Sequence, residues 1–128
     1  MRFMANLLIF IIVLLHLGFM LLEMFYWNHS LGQQIFNMTA EFAAASEVLA
    51  KNQGLYNGFL AAGLLWGLMG DKHGIKIFFL CCILVAGIFG GLTAKISILY
   101  IQALPALIAL LLVMRSKRRR AGEARLFS

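Results

Sequence analysis

Apolar and polar positions alternate along this chain in blocks rather than singly. Four apolar stretches run over about 3–27, 55–70, 75–94 and 98–114. A hydrocarbon layer about 30 Å thick takes about 20 helical residues to cross, and each stretch is read as one crossing. The pattern predicts an all-α membrane protein, an antiparallel bundle of four transmembrane helices. Between the first two stretches Ile35, Met38, Phe42, Ala45 and Leu49 recur at intervals of three and four. Gln34, Asn37, Glu41, Ser46 and Glu47 hold the other face, which predicts an amphipathic helix over about 31–51 on the outer side. Ser30 with Gln33 fits a capping box at its start. Short connections at 71–74 and 95–97 make sequential spans antiparallel neighbours. The domain plan is a transmembrane domain over 1–114 followed by a basic cytoplasmic tail over 115–128.

Composition agrees with this plan. Of the 128 residues 62% are hydrophobic and 12% charged, with a mean hydropathy of +0.90, well outside soluble usage. Arg2 ahead of the first stretch resembles a signal peptide. The stretch is too long for that and has no small-residue cleavage site, so it reads as a retained helix. The net charge of +6 is unevenly placed. With both termini in the cytoplasm, Arg2, Lys72, Lys76, Arg115, Lys117, Arg118, Arg119, Arg120 and Arg125 lie inside, and only Lys51 and Lys95 lie outside. That asymmetry follows the positive-inside rule and points to a multi-pass protein with both ends on the cytoplasmic side. The basic run at 115–120 is a juxtamembrane cluster suited to anionic headgroups rather than to nucleic acid. Cys81 and Cys82 are adjacent and form no disulfide framework.

Gly54 and Gly58, Gly63 and Gly67, and Gly87 and Gly91 each form GxxxG, so the second and third spans are expected to be the tight pair. Pro105 removes a backbone donor in the fourth span and should bend it.

Polar groups inside apolar stretches are costly and mark candidate sites. His16 and Glu23 lie seven apart on one face of the first span, with Met20 and Trp27 on the same stripe. Asn52, Gln53, Tyr56 and Asn57 stand at the outer end of the second span, and Gln102 enters the same depth range from the fourth. The inner half is expected to be almost purely apolar. Together these positions predict a polar pocket in the outward half of the bundle. Its ligand-binding groups would be Asn52, Gln53, Tyr56, Asn57, Gln102 and Trp27. If it is an enzyme, Glu23 backed by His16 would move a proton. Whether chemistry occurs is left open by the residues, as is the cofactor. One His and one Glu seven apart fall short of a metal's first coordination shell, so no metal is expected.

His16-Leu17-Gly18 with Glu23-Met24-Phe25-Tyr26-Trp27, and Asn52-Gln53-Gly54-Leu55-Tyr56-Asn57-Gly58-Phe59, resemble two blocks of a small bacterial integral-membrane family. That family is catalogued as domain of unknown function thirteen-oh-four. Val85-Ala86-Gly87-Ile88-Phe89-Gly90-Gly91 and Gln102-Ala103-Leu104-Pro105-Ala106 resemble its remaining blocks. The resemblance implies a four-helix membrane protein and no particular activity. It also implies that the polar positions named above fall in the family's motif blocks. The expected role is to bind or process a small amphipathic or lipid-like molecule. A proton-coupled transporter acting as an oligomer and a ligand-free assembly partner are the alternatives. The expected partners are the lipid bilayer and that amphipathic ligand, with homo-oligomerisation left open and no nucleic acid.

Overall fold

The computed structural model describes residues 1–126, and the side chains of 1–116. The described residues form helices and no strand: α1 (Arg2–Phe25), α2 (Ser30–Phe36), α3 (Ala40–Met69), α4 (His73–Thr93), a π-helical segment (Leu99–Ala103) and α5 (Leu104–Leu126). Three have the length and apolar composition to cross a membrane: Arg2–Phe25, His73–Thr93 and Leu99–Ser116. At 30 residues α3 is long enough, but Asn52, Gln53, Tyr56 and Asn57 interrupt its apolar run, and it is not among them.

The predicted amphipathic helix over 31–51 is two pieces. Asn37 adopts the left-handed conformation (φ 53°) and ends α2, a role Asn tolerates because its short polar side chain suits that region. Thr39 then starts α3, its hydroxyl accepting the Phe42 N–H at 3.2 Å. The second piece does not stop near 51 but continues unbroken to Met69. At the start of α2 the cap is His29 rather than Ser30: its Nδ1 accepts the Leu31 N–H at 3.4 Å. The apolar stripe also faces outward. Ile35, Phe42 and Leu49 are exposed, and Gly32, Ala43 and Ala50 are the buried positions.

The chain divides into two compact units, one of residues 14–61 and one of 1–13 with 62–128. In the second unit α4 buries Lys76, Leu80, Ile83, Gly87 and Gly91, a line repeating every three or four residues. Facing it are Ala103, Ala106, Ala109 and Val113. The glycines do not serve one interface, as the sequence suggested, but three. Gly54 and Gly58 receive Met20 and Met24 of α1, Gly63 and Gly67 receive Phe79 and Lys76 of α4, and Gly87 and Gly91 receive Ala103 and Leu99.

A Cβ at Gly87 would lie 2.7 Å from the Ala103 nitrogen and 3.0 Å from its Cα. Backbone cannot step aside as a side chain can. Gly87→Ala should therefore destabilise the protein by about 1–3 kcal/mol, the cost of an overpacked core, as read by unfolding in detergent. An unchanged midpoint would show that this contact is not tight.

The bend expected at Pro105 takes a specific form. Proline has no N–H and its ring crowds the preceding turn, and that turn is widened into the π-helical segment. The Leu104 N–H accordingly reaches back five residues to the Leu99 carbonyl.

A polar cleft beside Glu23

Unit 14–61 holds a cleft of about 220 Å³ lined by Glu23, Trp27, Ser46, Leu49, Ala50 and Gln53. Two helices build it. Gly54 lets α3 approach α1 so closely that an added Cβ would meet the Met24 Cγ at 2.7 Å and the Met20 carbonyl at 3.1 Å. One turn further on, Gly58 accepts the Met20 sulfur. That close approach brings Asn57, only 7% exposed, against Glu23. The Asn57 amide donates to Glu23 Oε2 at 2.7 Å and to its own helix at the Gln53 carbonyl at 3.3 Å. A bond of that length fixes the carboxyl group in place.

The opposite wall is held by Trp27. Its indole N–H donates to Ser46 Oγ at 2.9 Å, and the Ser46 hydroxyl donates in turn to the Phe42 carbonyl at 2.6 Å. Phe36 supports the ring, centroid to centroid 4.9 Å. Gly32 sets α2 down on the end of α1: a Cβ there would fall 2.1 Å from the Tyr26 carbonyl oxygen, so no other residue fits. Beside the cleft Lys51 pairs with Glu47 at 2.9 Å, and this pairing holds the Glu47 carboxyl below its usual range.

Of the residues singled out in the sequence, the structure gathers Glu23, Trp27, Gln53 and Asn57. His16 is buried on the same face of α1, two turns before Glu23. Asn52 and Tyr56 are exposed. Asn52 donates back to the Val48 carbonyl at 3.2 Å, and Tyr56 lies against Phe59. Gln102 belongs to the other unit, where its amide donates to the Ile83 carbonyl of α4 at 3.3 Å. There it ties the π-helical segment to its neighbour. Ser46 escaped the sequence reading as a cleft residue, because it sat on the polar face of a helix taken to stop before the site. Its spacing of seven from Gln53, two turns of a continuous helix, was the available signal.

A second polar cluster gathers around Lys76 in the other unit. Lys76, read from the sequence as a loop-side inner charge, is 2% exposed. Its Nζ reaches Asn6 Oδ1 and Asp71 Oδ1, each at 3.0 Å, and Arg2 binds the other Asp71 oxygen. Gly67 makes the room, since a Cβ there would meet Lys76 Cγ at 2.9 Å. Among the described residues no group of three or more His, Cys, Asp or Glu side chains converges as a metal site would need.

Comparison with known proteins places these features in a family. Residues 10–114 match the model described as "Protein of unknown function (DUF1304)". The chain is also similar to the "Uncharacterized protein YpaA" of Lactococcus lactis subsp. lactis (strain IL1403). The two are 32% identical over 96 residues, 72% of this chain and 81% of that one. No solved structure matches it. The match spans the Glu23–Asn57 pair, the glycine contacts and the π-helical segment alike, and the chain belongs to the DUF1304 family.

Proposed function

We propose that this protein is a four-span protein of the bacterial cytoplasmic membrane that binds a small amphipathic or lipid-like molecule in the Glu23 cleft. One observation carries the reading. A half-buried carboxylate, held by Asn57 at 2.7 Å, lines a cleft whose other walls include the Trp27 ring, Leu49 and Ala50. A few fixed polar groups set in apolar walls are the usual make-up of a small-molecule site. The fourth span is the apolar 55–70 part of α3, a helix of roughly 45 Å at 1.5 Å per residue. An excess of nine basic residues against two supports a reading with both termini in the cytoplasm and the cleft toward the outer face. The exposed stripe of Ile35, Phe42 and Leu49 supports contact of α2 and the start of α3 with acyl chains. In the transport alternative, polar groups would have to serve both halves of the bundle. The Lys76 cluster supplies such groups, but they are bonded to one another in the first turns of α1 and α4 and the turn before α4.

Native mass spectrometry of protein released gently from the membrane is the direct test. The wild-type chain is expected to carry a bound small molecule. Leu49→Trp should lose it at unchanged yield, because Leu49 lines the cleft yet is 72% exposed and has room for a larger ring. A wild-type protein with no adduct, or a variant that keeps it, would remove the support for this site.

A further inference from the structure

We propose that the ligand of the Glu23 cleft is cationic: an ammonium group attached to an apolar body. The inference rests on the reading of the cleft as an amphipath site and adds the sign of the head. Four features point the same way. The charged group in the lining is the Glu23 carboxylate, and none of the lining residues is Lys, Arg or His. Lys51, the basic residue on the same stretch of α3, is engaged with Glu47 at 2.9 Å. The Trp27 ring forms one wall, and an indole face attracts ammonium groups through its quadrupole.

The fourth feature is the end of α1. This helix stops at Phe25, close in sequence to both Glu23 and Trp27, and has no basic residue in its last turn. The unneutralised carbonyls of a helix C-terminus carry partial negative charge, which adds to that of the carboxylate. An anionic head would meet the Glu23 carboxyl group and the electron-rich Trp27 ring that line the cleft, and a cation is favoured by both. Leu49 and Ala50 offer the apolar body its contact. Asn57 donates to Glu23 Oε2, which holds the carboxyl group still beside the space a ligand head would fill.

The chain has two tryptophans, so full-length protein carrying Trp66→Phe reports on Trp27 alone. In an uncharged maltoside detergent the probes are phenyltrimethylammonium, benzenesulfonate and benzyl alcohol, which share a ring and differ in charge. Phenyltrimethylammonium is expected to change Trp27 emission saturably, at concentrations about tenfold or more below those of the other two. Glu23→Gln keeps an acceptor for Asn57 and removes the charge, so it should erase that preference. Glu23→Asp should restore most of it.

If the three probes act alike, or the cation is preferred without Glu23, the cationic assignment is overturned and the amphipath site stands. If no probe gives a saturable change and mass spectrometry finds no bound molecule, site and assignment fall together.

Discussion

Asp71→Asn is expected to destabilise this protein by about 2 kcal/mol, and Lys76→Met by clearly less. The asymmetry follows from where the charges sit. Lys76 is 2% exposed and depends on Asp71 and Asn6 at 3.0 Å each, whereas the Asp71 side chain is 34% exposed. Removing the carboxylate's charge strands an ammonium in the interior, which costs about 3–5 kcal/mol for a fully buried pair and less for a partner that water reaches. Replacing the lysine with a methionine of similar length removes the charge that needed compensation. The released Asp71 keeps Arg2 and access to solvent. Asparagine is the right probe because Asp71 sits at φ 46°, a conformation that Asn also tolerates. Denaturant unfolding in detergent reads both variants. Equal losses would mean that the cluster acts through packing alone.

Gly54→Leu should have the largest effect on the cleft, with a loss of about 3 kcal/mol and of ligand binding. Even a single Cβ would press on Met24 and on the Met20 carbonyl, and a whole isobutyl group must push α1 and α3 apart. That separation breaks the 2.7 Å bond between Asn57 and Glu23. Gly18→Ala is the matching control. Nothing lies within 4 Å of a Cβ at Gly18, so alanine should be neutral or stabilise the helix by about 0.5–1 kcal/mol. Thermal unfolding and the Trp27 response should separate the two glycines cleanly. A tolerated Gly54→Leu would show that close approach is not what builds the cleft.

The glycines also show what sequence could and could not disclose. Their i, i+4 spacing announces close helix contact, yet the spacing is identical whichever helix comes near. The sequence therefore could not tell that the three pairs face α1, α4 and the π-helical segment in turn. Hydropathy saw α1, α4 and the last span because their polar residues are few. It blurred α3, where Asn52, Gln53 and Asn57 dilute the average of one unbroken helix. Glu23 with Asn57 was legible because each is a polar residue flanked by apolar ones. Lys76 was not, since its partners lie five residues back in a turn and seventy back near the N-terminus. Charge counting treats such a lysine as a topology marker and carries no sign that it is buried. Gln102 is ambiguous in sequence for a related reason. A lone amide in a span can serve a ligand or a neighbouring backbone, and here it bonds to Ile83.

The π-helical turn at Leu99–Ala103 has a consequence for how this span tolerates change in length. A wide turn holds one residue more than an α-turn over the same rise. Deleting one residue there would let ordinary helix geometry resume without rotating Ala106, Ala109 and Val113 away from α4. The same deletion further down the helix would turn everything beyond it by about 100° and carry those small residues out of the seam. Single-residue gaps between homologues of this chain should therefore collect at the start of its last span.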